Sequence, residues 1–491
     1  MFFRIYLSGR IGAEGMGLHQ LICSVYFLTI HLASGGIGVA VTRMVAERPE
    51  QEGKSALDVV RTALLFSAGV SVSVALLLYT GADLISVYWL GDKRAALSLR
   101  ILAPSLPMIA VSACFRGYLT AREKVLRTAA GQIFEQAVRM TVTVSILPLL
   151  QPKGLEWSCA AIVIGTTISE AASCLFLLIA GRIGKHTART REKGLLPELL
   201  SVSLPVTART CFRSVLSAME NTMIPKGLGK YGISTQQSLA QYGMLKGMAL
   251  PVLFFPSSFI SSISSLLVSE LAADSGVRRG TGSAAACDLT RQVLRYALLF
   301  SVYVAALFLF FSREIGVAFY REKAVGAMIR ILAPLVPFMY LESIVDGMLT
   351  ALDQQMSVMK YNMIDAVGRL FLVMLLLPRF GMNGFLGMMY LSNLYTSLMC
   401  IGKLLQVTGI RFPLWEWLGK PLLSAGVAGF TVSALVKGCL EGTMPELPLL
   451  AMECLLCGII YAVCLLLQGA VTVSEFTIPL RRMLFRRRSR A

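Results

Sequence analysis

The chain has 491 residues, of which 55% are hydrophobic and only 15% charged, with a mean hydropathy of +0.68. A soluble protein of this size needs far more polar surface, so the composition excludes a soluble globular enzyme and points to an all-α polytopic membrane protein. The net charge of +18 does not mark a nucleic-acid binder, because the basic residues sit in short stretches between apolar runs.

In chain order, residues 1–10 are too short to span and lack the three-part organisation of a signal peptide. They read as the last turns of a helix whose beginning is missing. Gly12-x-Glu14-Gly-x-Gly17 follows no strand, so it reads as a turn and not as a nucleotide loop. Apolar runs able to cross roughly 30 Å of hydrocarbon then fall at 17–45, 62–79, 101–115, 129–149 and 157–179. Residues 83–100 form a mixed connector and 116–127 a basic one. The most charged internal stretch, 181–193, precedes a second series at 199–218, 242–268, 293–311, 327–345, 361–377 and 385–405. Two more spans follow at 417–436 and 447–467, for about 13 complete spans and a partial first one. The expected organisation is an N-terminal lobe (1–180), a cytoplasmic linker (181–197), a C-terminal lobe core (198–405), two extra helices (406–470) and a basic cytoplasmic tail (471–491).

An internal repeat supports the two lobes. Arg100-Ile-Leu-Ala-Pro104-x-x-Pro107 returns as Arg330-Ile-Leu-Ala-Pro334-x-x-Pro337, and Leu119-Thr-Ala121 as Leu349-Thr-Ala351, at one constant offset. An even number of crossings before the linker makes the two halves parallel repeats. The matched prolines are expected to bend matching helices, since each removes a backbone hydrogen bond. Lys and Arg divide roughly two to one between the two sides, which places the tail in the cytoplasm.

Charges inside spans are the main chemical signal, because an ionisable group in hydrocarbon must be paired or face water. Glu135 and Arg139 stand four apart on one helix face, acid first, and Asp365 and Arg369 copy them. Both read as ion pairs within their lobes. Arg4, Arg209, Arg213 and Lys246 have no obvious helical partner and suit an anionic head group, or else snorkel toward an interface. The serines from Ser257 to Ser265 allow close helix packing or line a wet cavity. The cysteines, including Cys454-x-x-Cys457, read as packing residues. With three histidines no metal constellation appears, and no nucleophile set or phosphate loop stands out.

Several elements together carry a resemblance: Phe3-Arg4 with Gly9-Arg10-Ile-Gly12-Ala-Glu14-Gly-x-Gly17, then Val45-Ala46-Glu47, Arg116-Gly117-Tyr118, Glu135-Gln136-x-x-Arg139 and Ser201-Val-Ser-Leu-Pro205. Through nearly its whole length the chain resembles the stage V sporulation protein B-like branch of the polysaccharide-transporter family. That family belongs to the multidrug/oligosaccharidyl-lipid/polysaccharide flippase superfamily and is related to the lipid II flippases. The resemblance implies a 14-helix fold in two lobes, its first helix truncated here, in a bacterial cytoplasmic membrane. It implies alternating access and a polyprenyl-pyrophosphate-linked saccharide as cargo, with no covalent catalysis and no cofactor. Arg4 and Arg10 match arginines at the end of the family's first helix, and Glu220 matches an acidic position in the seventh. Arg209 lies near a basic position there, and Lys246 aligns with nothing. The expectation is that Arg4, Arg209, Arg213 and Lys246 hold the pyrophosphate, with Arg10, Glu47 and Glu220 in coupling or gating. Besides cargo and membrane lipids, the expected partners are a coupling cation (Na+ or H+) and cell-wall synthesis proteins, with no nucleic acid. A cation-coupled drug exporter of the same superfamily, or a membrane scaffold that transports nothing, are the alternatives.

Overall fold

The computed structural model describes residues 1–47, 56–181, 194–262, 284–410, 412–439 and 446–471, and these contain helices and no strand. In hydrocarbon every backbone polar group must be satisfied within its own segment, so long apolar runs become helices. Among the described residues eight helices are long and apolar enough to cross a membrane, or nine if one bent pair is a single span. Outward-facing apolar side chains such as Leu65, Leu126 and Leu467 are exposed, as a lipid-facing surface requires.

The chain divides into two compact units. One comprises Phe2–Gly243 with Leu370–Met382. It contains helices α1 (Phe2–Ser34), α2 (Ile37–Ala46), α3 (Ala56–Leu84), α4 (Ala95–Leu102), α5 (Ser105–Ala121), α6 (Val125–Leu150), α7 (Leu155–Ala180), α8 (Leu195–Lys230) and α9 (Thr235–Tyr242). Its core includes Ile37, Val41, Val59, Cys114 and Leu199, which bring α2, α3, α5 and α8 together. The other comprises Met244–Arg369 and Asn383–Ala491. It holds α10 (Leu250–Phe254), α11 (Ala284–Phe310), α12 (Ser312–Tyr320), α13 (Lys323–Leu332), α14 (Val336–Ala351), α16 (Lys420–Cys439) and α17 (Glu446–Leu467). Helix α15 (Gln355–Thr408) contributes to both units.

The helices overrun several of the apolar runs. The turn expected at 12–17 shrinks to one residue, Gly12 (φ 67°, ψ −176°), inside α1. Only a residue without a Cβ takes that conformation cheaply. The mixed connector at 83–100 is also largely helical. Helix α3 runs on as a π-helical turn, Ile85–Leu90, and α4 starts at Ala95. Polar residues near a helix end lower hydropathy without breaking the backbone pattern. The runs 361–377 and 385–405 form two helices that meet at a kink at Gly381 (φ 58°, ψ −140°), together labelled α15.

The repeat reappears as local geometry. Helices α5 and α14 end at Ala121 and Ala351, and each is followed by an acidic residue with positive φ, Glu123 (57°) and Asp353 (61°). In both turns a backbone N–H closes on the preceding helix: Lys124 N to Leu119 O at 2.9 Å, and Gln354 N to Leu349 O at 2.8 Å. The proline sites are less alike. Between α4 and α5, at Pro104, the helix axis bends by 42°, with Pro107 inside the first turn of α5. Pro334 lies in a short 3-10 turn, Ala333–Leu335, and Pro337 in the first turn of α14.

Candidate functional site

Helix α1 lies against α8 and α9, and glycine sets how closely. A Cβ on Gly17 would collide with the Leu239 carbonyl oxygen, and one on Gly243 with the Ala13 carbonyl oxygen. Farther along the chain, a Cβ on Gly36 would collide with the Ser203 carbonyl oxygen. The α1 segment is thus pinned backbone to backbone at both ends. Around the Gly17 pin, Arg94 Nη1 donates to Glu14 Oε1 at 2.8 Å, and Gln236 Nε2 donates to Glu14 Oε2 at 3.1 Å. Arg94 also forks onto Asp92, with Nη2 at 2.7 Å from Oδ2. Asp92 first, and then Glu14, hold the Arg94 guanidinium charged well above its ordinary range, against partial burial.

Between the pins lies a cavity of about 340 Å³. Ser24, Phe27 and His31 face it from α1, and Thr210, Arg213, Ser214, Ser217 and Asn221 from α8. Spacings of three, four and seven put each set on one helix face. His31 Nδ1 lies 2.6 Å from the Phe27 carbonyl oxygen and 3.1 Å from Ser214 Oγ. The Thr210 hydroxyl is turned back to its own helix, onto the Val206 carbonyl at 3.0 Å. No carboxylate lines this cavity, and among the described residues none pairs with Arg213. Ser24 is likewise turned back, onto the Leu21 carbonyl at 2.7 Å, so the chamber offers one guanidinium, one imidazole, two serine hydroxyls and an amide, a donor set suited to phosphate oxygens.

The other residues singled out in the sequence lie elsewhere. Arg209 is exposed one turn before Arg213 and does not line the cavity. Arg4 is exposed near the start of α1 and, with Arg139, lies within electrostatic range of His19. Arg10 stacks over the Tyr6 ring at 5.7 Å, while its carbonyl accepts from Gln151 Nε2 at 2.9 Å. Glu47 ends α2 in an exposed pair with Arg43 at 2.8 Å. Glu220 is buried on α8, in electrostatic contact with Tyr242. Lys246 belongs to the other unit, in a π-helical segment Gly243–Ala249, with its ammonium 5.9 Å from the Phe385 ring centroid. Of the serine run, Ser257, Ser258 and Ser262 donate to carbonyls three or four residues earlier in the chain; 264 and 265 lie outside the described residues, as does the basic tail.

The two embedded acid–arginine pairs differ in company. Arg139 Nη2 lies 2.7 Å from Glu135 Oε1 and 3.4 Å from Glu170 Oε1, while Arg116 Nη1 approaches Glu135 Oε2 at 3.8 Å. In the second copy Arg369 Nε lies 3.1 Å from Asp365 Oδ2, and Ser392 Oγ donates to Asp365 Oδ1 at 2.7 Å. The position of Arg116 is occupied there by Asp346, and that of Glu170 by Cys400. The sequence reading gives no site role to His31, Arg116 or Glu170, although Arg116 belongs to one of the elements that carry the resemblance. Each has a sequence signal, a lone polar residue inside a helix or at its basic end, but its partners come from distant helices.

Residues 1–268 match the family model described as polysaccharide biosynthesis protein. The chain is 26% identical over 385 residues to stage V sporulation protein B of Bacillus subtilis (strain 168), covering 77% of this chain and 74% of that protein. It is 23% identical over 274 residues to sporulation protein YkvU of the same organism, covering 54% of this chain and 59% of that protein. Its fold is similar to that of the lipid II flippase MurJ in an inward closed conformation, with a TM-score of 0.74 at 15% identity and 95% of both chains covered. It is also similar to an inward-facing multidrug resistance MATE family transporter of the MOP superfamily, with a TM-score of 0.69 at 15% identity, covering 83% of this chain and 93% of that one.

Proposed function

The chain belongs to the polysaccharide biosynthesis protein family, and from that membership we propose that it carries a polyprenyl-pyrophosphate-linked saccharide across the bacterial cytoplasmic membrane by alternating access. One observation carries the reading: the cavity between α1 and α8 is lined by Arg213, His31 and hydroxyls, with no carboxylate. A cation-coupled drug exporter needs negative charge where its cargo sits, and this chamber offers the opposite. A scaffold that transports nothing has no use for a cavity-lining guanidinium that no carboxylate pairs with among the described residues. Arg213 grips the pyrophosphate through charge-assisted hydrogen bonds, and His31 and the serines complete its coordination. The polyprenyl tail stays in the bilayer. Cargo bonds are neither made nor broken, so this is a transporter and not an enzyme. The cycle draws on the membrane potential or on a coupling cation, Na+ or H+.

The test is translocation of a fluorescent polyprenyl-pyrophosphate-linked saccharide in vesicles containing the purified protein. Losing a charge-assisted hydrogen bond costs about 1.5–3 kcal/mol, so Arg213→Ala is expected to weaken cargo binding by roughly 10- to 100-fold. Arg213→Glu is expected to abolish transport and Arg213→Lys to retain part of it. Wild-type rates in Arg213→Glu would remove Arg213 from the cargo site.

A further inference from the structure

Away from that cavity, α5, α6 and α7 enclose the polar network around Arg139, and one of its members is incompletely satisfied. Glu170 is 8% exposed, and its Oε2 has no hydrogen-bond partner among the described residues. Its other oxygen has the 3.4 Å approach to Arg139 Nη2, which is already engaged at 2.7 Å with Glu135. The two carboxylates thus converge on the same guanidinium nitrogen of Arg139, Glu135 Oε1 at 2.7 Å and Glu170 Oε1 at 3.4 Å. Two ionised carboxylates so placed are acceptors only and repel each other; one proton gives one of them an O–H that can donate to the other.

We propose that Glu135 and Glu170 form a proton-binding site, holding one exchangeable proton between them inside the Phe2–Gly243 unit. The proton comes from water: an O–H bond forms on a Glu170 oxygen and hydrogen-bonds to Glu135, and release returns the proton to water. The groups facing the pair set the charge balance. Arg116 reaches it from α5 and Arg139 from α6, while Ser169 and Cys174 lie beside it on α7. From α1 come Tyr26, in electrostatic contact with Glu170 and Arg139, and His19 and Cys23, each within electrostatic range of Arg139 and Arg4. With two arginines and two carboxylates the empty network is neutral; loading the proton makes it singly positive. The second copy is built differently, with Asp346 and Cys400 at the positions of Arg116 and Glu170, and Glu342 facing Asp346, Asp365 and Arg369. The proposal rests on this geometry alone and stands whatever the cargo is.

Infrared difference spectroscopy on the full-length protein in lipid vesicles, titrated with acid, reads protonated carboxyl groups directly. The expected result is a carboxylic-acid band that exchanges slowly with deuterium, is lost in Glu170→Gln and has its titration midpoint moved by about one pH unit, tenfold in proton affinity, in Glu135→Gln. A glutamine at 170 can still donate to Glu135, so that variant is suited to fold; its melting temperature is checked beside wild type. Should it fail to fold, Glu135→Gln and the wild-type spectrum decide the matter. Absence of such a band in wild type, or a band with unchanged midpoint in the folded variants, overturns the proposal.

Discussion

Arg139 touches two nearly buried carboxylates at once, Glu135 and Glu170. Removing one partner of a buried ion pair costs about 3–5 kcal/mol because the opposite charge is left stranded. Arg139→Ala is therefore expected to lower the melting temperature in detergent markedly. Arg139→Lys should recover only part of the loss, since an ammonium cannot fork between Glu135 and Glu170. Equal melting of Arg139→Ala and wild type would show that the network is solvated. The i,i+4 spacing made Glu135 and Arg139 readable in the chain. Glu170 was not readable as their partner, because it arrives from another helix. His31 was hidden for the same reason: its hydroxyl neighbour Ser214 stands on α8.

Single residues set the course of whole elements. Gly12 within α1 and Gly381 within α15 each mark a kink where one helix gives way to the next. The sequence reading places a turn at 12–17 and a gap between the runs 361–377 and 385–405, and each kink falls there; hydropathy cannot narrow the break to one glycine, because that depends on backbone dihedrals. The close approach of α1 and α9 is equally silent in sequence, because a glycine in an apolar run looks the same whether a second backbone touches it or not. Gly243→Val is expected to force α9 away from Ala13, since the new side chain meets backbone that cannot rotate aside. A cysteine introduced at Ala13 should then react faster with a water-soluble maleimide than it does beside Gly243, and unchanged reactivity would refute the close contact. Glu14→Gln tests the neighbouring latch. It removes a charge-assisted bond to Arg94, and losing about 1.5–3 kcal/mol of local stability should appear as faster hydrogen exchange near residues 91–94.

Across the whole chain, composition and the recurring apolar runs were enough to read a helical multi-pass membrane protein, since lipid leaves the backbone few choices. The repeat was also legible and goes deeper than its prolines, down to matched positive-φ residues at Glu123 and Asp353. The same offset sets Arg116 against Asp346 and Glu170 against Cys400; what no linear reading supplied was that Arg116 and Glu170 both meet the Glu135–Arg139 pair. Orientation remains a prediction of the Lys/Arg distribution. A reporter fused after residue 491 is expected to be active only in its cytoplasmic form, and a periplasmic signal would invert the assignment of every loop.

The two glycine contacts have a mechanical consequence. From Gly17 to Gly36 the chain covers roughly 28 Å at 1.5 Å per residue, so this stretch of α1 is a beam clamped at both ends with its cavity at midspan. A load placed at the middle of such a beam is borne by both supports. An occupant wedged against Phe27 and His31 strains the clamp at Ser203 and the clamp at Leu239 together, and the weaker clamp yields first.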